Sequence, residues 1–138
     1  MAKRDIYHNA VKQALVRDGW TITHDPFVLP FGAHNLFVDL GAERVLAAEK
    51  AGQRIAVEIK SFVGHSPVDD LENALGQYVL YRSLLKRREP ERIIYLAVPL
   101  STYDGIFSTS LGQVAVEDYQ LKLIVFDPTQ EVVRQWIE

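Results

Sequence analysis

The sequence predicts an α/β sandwich: a mixed β-sheet flanked by helices, in the order helix, three strands, helix, strand, short helix, two strands. That expectation rests on three features of the chain. Residues 54–61 alternate strictly, with Ile55, Val57 and Ile59 on one side and Arg54, Ala56, Glu58 and Lys60 on the other, the period of a strand with two different faces. The unbroken apolar run IIYLAV at 93–98 reads as a strand buried on both faces. Between them lies a helical periodicity, and two strands joined through a helix imply parallel pairing by a right-handed crossover.

Taken in order, residues 3–18 place Ile6, Tyr7, Ala10, Val11, Ala14 and Leu15 at helical spacing, and Gly19 follows as a natural stop. Asp5, His8 and Lys12 line one edge of this helix, and a solvated flank is favoured over a role in a site. Residues 20–24 alternate as a short strand, and Asp25 before Pro26 turns the chain, so capping is favoured over a His24–Asp25 metal pair. Residues 30–34, with Gly32, read as a loop. A strand at 44–50 precedes the alternating one, and Ala51 and Gly52 supply the tight turn between them. That turn sets Lys50 opposite Gln53 and, continued, Glu43 opposite Lys60.

Ser66, Pro67 and Asp69 read as N-cap, first helical residue and capping acid of a helix running through Lys86. Val68, Leu71, Leu75, Tyr78 and Leu85 form its apolar face, with Gln77 and Tyr81 on a neighbouring one. Its last turns carry Arg82, Lys86, Arg87 and Arg88, which either complement the helix dipole or track phosphates. Beyond 93–98, Ser101 and Asp104 cap a short helix with Tyr103, Ile106, Phe107 and Leu111 on its inner side, weakened by Gly105. Residues 121–126 and 132–137 are the last two strands, separated by a turn at Asp127, Pro128 and Thr129.

A chain of 138 residues with 48% hydrophobic and 24% charged residues is one domain, spanning 1–138, of ordinary globular composition. It has no cysteine, which excludes disulfides, thiolate metal sites and cysteine nucleophiles and leaves a hard metal as the kind expected. No apolar run approaches the length of a membrane span and the start, MAKRDIYHNA, lacks an apolar signal region, so no membrane is expected and the cytoplasm is the expected compartment. The net charge of −3 gives no global attraction to a polyanion. Contact with DNA would have to come from local basic clusters.

The chemistry concentrates between Phe37 and Phe62. Asp39, Glu43, Glu58 and Lys60 converge at one end of the hairpin, Asp39 by a bend through Gly41. Carboxylates that hold a hard divalent ion, beside an ammonium that orients water or stabilises phosphate charge, are what metal-assisted phosphodiester hydrolysis requires. Glu-x-Lys on a polar strand face is, taken alone, more often a solvated pair. The upstream Asp and the following helix, whose first amides favour phosphate, raise the catalytic reading to equal weight. Gln77 is either a polar clamp on that site or a flank of the core seam.

Asp39, the Glu58-Ile59-Lys60 triplet and Gln77-Tyr78-Val79-Leu80-Tyr81 resemble the PD-(D/E)xK nuclease superfamily and the Q-x-x-x-Y element of its exonuclease-like branch. More specifically, RDIYHNAVKQALVRDGWTITHDP, VDLGAERVLAAEKAGQRIAVEIKSF and ALGQYVLYR look like the XisH family, the fdxN element excision controlling factors of cyanobacteria. The resemblance implies a restriction-endonuclease-like fold and a Mg²⁺- or Mn²⁺-dependent DNA endonuclease. Asp39 and Glu58 are then metal ligands with the carbonyl of Ile59 as a third, Lys60 polarises the nucleophile, and Glu43 competes with Asp39 as first ligand. Two departures stand out: Val38 occupies the position where the superfamily has proline, and the first helix lacks a glutamate, for which Asp5 or His8 would substitute. The implied partners are DNA, an XisI-type protein and, indirectly, a recombinase, with a homo-oligomer left open. The alternative is a catalytically silent module that assists a recombinase.

Overall fold

A computed structural model describes residues 6–31, 34–35 and 45–138. The hairpin at its centre forms as its sequence directs. β4 (Val45–Lys50) and β5 (Gln53–Ile59) pair antiparallel with Lys50 opposite Gln53, and the register runs out to Val45 opposite Glu58. Ala51 and Gly52 both take positive φ, 51° and 82°, as a two-residue turn matched to the strand twist requires. Glu43 lies outside the described residues, two positions beyond the last described pair.

Six strands make one sheet in the order β1-β4-β5-β6-β7-β8. β1 (Thr21–His24) pairs antiparallel with β4; β5, β6 (Arg92–Pro99) and β7 (Leu123–Asp127) run parallel; β8 (Val132–Ile137) returns antiparallel. A small ribbon, β2 (Pro30–Phe31) with β3 (His34–Asn35), forms where a plain loop was expected. This is the mixed, helix-flanked sheet that the sequence predicts.

The helices cover both faces. α1 (His8–Arg17) lays Val11 and Leu15 on the face carrying Ile55, Val57, Ile59, Ala97 and Phe126. It ends at Gly19, φ +92°, whose N–H reaches the Val16 carbonyl while that of Trp20 reaches Leu15, a Schellman closure. Ile6, expected on the apolar stripe, is exposed.

α2 (Pro67–Arg88) covers the other face, packing Leu71, Ala74, Tyr78, Tyr81 and Leu85 onto Ala47, Ala56, Leu96 and Leu123. Ser66 caps it through its hydroxyl, which accepts from the Asp69 N–H at 3.2 Å, and Pro67 opens it as expected. Val68 is exposed, since the first turn overhangs the sheet edge of the core.

The single short helix expected after β6 is three pieces: α3 (Leu100–Asp104), a 3₁₀ turn (Ile106–Ser108) and α4 (Ser110–Tyr119). Gly105 breaks the chain between the first two. The side-chain cap is Thr109, accepting from Gly112 N–H at 3.2 Å; Ser101 and Asp104 do not cap, because α3 begins directly at the end of β6. Phe107 is buried as expected, whereas Leu111 faces outward at the start of α4. Asp127 closes the last turn by accepting N–H groups from Thr129 and Gln130.

Candidate functional site

Glu58 and Lys60 project from the same face of β5, and α2 covers that face. Ala56, two residues earlier on it, packs with Leu71, Ala74 and Tyr78. Glu58 is 1% exposed and Lys60 9%. The pair is therefore not a solvated one, which corrects the commoner reading of this triplet. Charges this deep are expensive unless opposite charge, hydrogen bonds or an ion compensate them.

β5 carries both residues near its end, where Lys60 lines an opening. Glu58 sits in register between Val45 of β4 and Leu96 of β6, and the Lys60 N–H extends the ladder by donating to the Ala97 carbonyl at 3.1 Å. Two residues on, Phe62 takes φ +57°, a conformation that a bulky side chain rarely adopts. Its ring is held edge-on against Phe107, with centroids 5.7 Å apart. Strain of this kind collects where a loop is fixed for a purpose. Here the loop closes a cleft of about 200 Å³ lined by Lys60, Ser61, Phe62, Gly64, Asp70 and Asn73.

α2 supplies the far wall of that cleft. Asp70 accepts the Gly64 N–H at 3.0 Å, and a Cβ on Gly64 would lie 2.6 Å from its carboxylate, so the loop is pressed directly onto the first turn of α2. Asp70, Asn73 and Gln77 follow one another at helical spacing along one edge. Asp70 and Asn73 line the cleft, while half-buried Gln77 stands one turn behind them. Sequence reasoning picked out Gln77 and missed the other two. The same spacing, traced back from Gln77 toward the N-cap, finds them.

Electrostatic coupling runs from the strand to α2. Burial is the chief cause that raises the Tyr78 hydroxyl above its ordinary range; the Lys122 N–H and Arg82 pull it down, and the Glu58 charge adds to the rise. Tyr78 donates to the Ile94 carbonyl at 3.1 Å and so belongs to the core. Tyr81, placed by its spacing beside Gln77, is likewise buried in the core.

His8 and Lys12 serve elsewhere. His8 is 1% exposed, not solvated, and its Nε2 lies 2.9 Å from Asp25 Oδ1, while Lys12 Nζ lies 2.8 Å from Oδ2. Burial acts to raise the Asp25 carboxyl, but hydrogen bonds and charge from Lys12 and His8 outweigh it and hold the group below its ordinary value. Asp25 thus ties α1 to the end of β1 and does more than cap a turn. This pairing engages His8 with Asp25 through Nε2.

Of the remaining expected residues, Asp39, Glu43 and Asp5 lie outside the described residues. Among the described residues no three acids or histidines group as a metal site. Glu58 and the Ile59 carbonyl are the described part of the expected donor set, and a carboxylate with a carbonyl oxygen is the donor chemistry that a hard cation takes.

A model of the XisH protein family matches residues 1–134 of the chain. A crystal structure of an XisH family protein from Nostoc punctiforme PCC 73102 is 43% identical, with a TM-score of 0.89 over 97% of this chain and 100% of that one. A crystal structure of an fdxN element excision controlling factor protein from Anabaena variabilis is also 43% identical, with a TM-score of 0.89 over 98% and 100% of the two chains. No curated protein matches.

Proposed function

The chain belongs to the XisH family, and we propose that it acts in excision of a DNA element as a divalent-metal-dependent endonuclease. The observation that carries this reading is the burial of Glu58 and Lys60 on one face of β5, with Lys60 lining the Lys60–Asp70 cleft. A solvated strand face would not hold a carboxylate and an ammonium at this depth. The name of the relative from Anabaena variabilis, an excision controlling factor, supports the process.

In this reading Glu58, with Asp39 or Glu43, holds Mg²⁺ or Mn²⁺. The chemistry that such an ion supplies when bound is neutralisation of phosphate charge and a more acidic water. Lys60 orients that water or stabilises the charge growing on the phosphate as the phosphorus–oxygen bond breaks. Asn73 and Gln77 offer amides along the wall of α2 to hold the strand. A second reading, a regulatory module that binds an XisI-type partner or DNA and assists a recombinase without cutting, draws on the acidic net charge of −3.

A plasmid-nicking assay with Mg²⁺ or Mn²⁺, with and without the partner protein, separates the two. Lys60→Ala should melt normally, keep its metal and cut about a hundred- to a thousandfold more slowly. Glu58→Ala should lose metal and cutting together, and calorimetry on Asp39→Ala and Glu43→Ala identifies the second ligand. Unchanged metal affinity in all three acid variants sinks the metal site. A wild type that never cuts, while Lys60→Ala still supports excision in cells, establishes the regulatory reading.

A further inference from the structure

The far end of α2 carries a second site. Its cations on α2, Arg82 and Lys86, lie 9 to 16 residues beyond Asn73 and Asp70 of the Lys60 cleft, about 14–24 Å along the axis. A cavity of about 220 Å³ opens there between α2, the start of β6 and the approach to β7. Its charged lining is cationic throughout: Arg82 and Lys86 from α2, Arg92 from β6, and Lys122. Leu85, Pro90 and Ile93 form apolar walls, and Ile93 is 44% exposed although it begins a central strand.

Structure accounts for two of these cations. Arg92, 6% exposed, donates to Glu89 and to the Ile55 carbonyl and lies over the Phe27 ring. Arg82 donates to the Tyr119 carbonyl at 2.7 Å and lies over the Tyr78 ring. Lys86, in the last turn of α2, complements the helix dipole.

Lys122 has no such explanation. It lies off α2, its backbone N–H is fixed by the Tyr78 hydroxyl at 3.1 Å, and it is half-buried against this cavity. Among the described residues no carboxylate lines this cavity, and the one acid near Lys122, Glu138, lines the adjoining cavity that Lys122 also borders. A partly desolvated ammonium beside Arg82 and Lys86 is unfavourable until an anion joins them, Arg92 being already paired with Glu89.

We propose that this cavity binds one phosphate of a nucleic-acid strand. Arg82, Lys86 and Lys122 face the phosphate oxygens, and the adjoining sugar lies on Leu85, Pro90 and Ile93. Nucleic acid as the ligand rests on the function proposed above; cleavage does not enter.

The test is fluorescence anisotropy of a labelled duplex of about one turn, across a salt series, with inorganic phosphate and a polyglutamate peptide as competitors. Lys122→Gln should weaken binding about tenfold and reduce the salt slope by about one, and exposed Lys86→Gln should do the same should the first variant melt early. Inorganic phosphate should compete with wild type and lose that effect in the variants. Unchanged affinity and slope in a folded Lys122→Gln protein overturns the proposal, as does a wild type that binds neither duplex nor phosphate. Polyglutamate competing as well as the oligonucleotide also overturns it, in favour of an acidic protein segment. Lys60→Ala should leave the Lys122 effect intact, so loss of cutting with this binding retained defeats the endonuclease reading alone.

Discussion

Asp25 gathers a histidine and a lysine from α1 into a nearly closed cluster at the edge of the sheet, and its titration should be visible in the stability of the fold. Its carboxyl titrates below its ordinary value of 3.8. The contribution is therefore fully present above that value and is lost as pH falls through the lower folded one. Asp25→Asn should lower stability by about 1–3 kcal/mol at neutral pH, since it leaves His8 and Lys12 without their anion. Urea melts across pH should show the gap to wild type closing below pH 3.8; a gap that persists at low pH removes the carboxylate from the account. At this scale the sequence was readable in part. The period of two that puts Glu58 and Lys60 on one face is a property of any strand, but what covers that face depends on where α2 returns, some ten residues or more later. Hence spacing was legible and burial was not. His8 shows the same limit, because its partner lies 17 residues away across a turn.

Two glycines in helices carry opposite expectations. Gly76 is exposed in the middle of α2 with nothing within 4 Å of a built Cβ, so Gly76→Ala should stabilise by about 0.5–1 kcal/mol through propensity alone. Gly112, in the first turn of α4, would place a Cβ 2.2 Å from the Ile106 carbonyl oxygen and 2.6 Å from the Phe107 Cα. Those neighbours are backbone and cannot step aside, so Gly112→Ala should destabilise by about 1–3 kcal/mol despite the better helix former. Thermal melts that shift in opposite directions, further for Gly112→Ala, check both; a stabilised Gly112→Ala would mean that α4 does not pack this closely. Gly112 also explains why α4 escaped the sequence. A glycine near its start, Leu111 and Val114 exposed, and Ala115 as its one buried apolar side chain leave little helical periodicity to see. The hairpin, α2 and β6 have long, unmixed patterns and were legible, cap and register included.

Over the whole molecule, charge bounds the contact with DNA that is proposed for this fold. The three layers bury the sheet on both faces and leave a surface with a net charge of −3, so long-range attraction to a polyanion is absent. Lys86, Arg87 and Arg88 project from the end of α2, and Lys122 stands beside them, which makes this end the basic part of an acidic protein. With about three to four phosphates neutralised there, log affinity for duplex should fall against log salt with a slope of roughly −3. The isolated chain should therefore bind weakly, and an XisI-type partner should strengthen binding by adding surface and charge that this chain lacks. Anisotropy with a labelled duplex, with the partner titrated in at fixed salt, measures both effects. Nanomolar binding by the lone chain at physiological salt would refute this electrostatic account, because a few local cations set against a negative total cannot supply it.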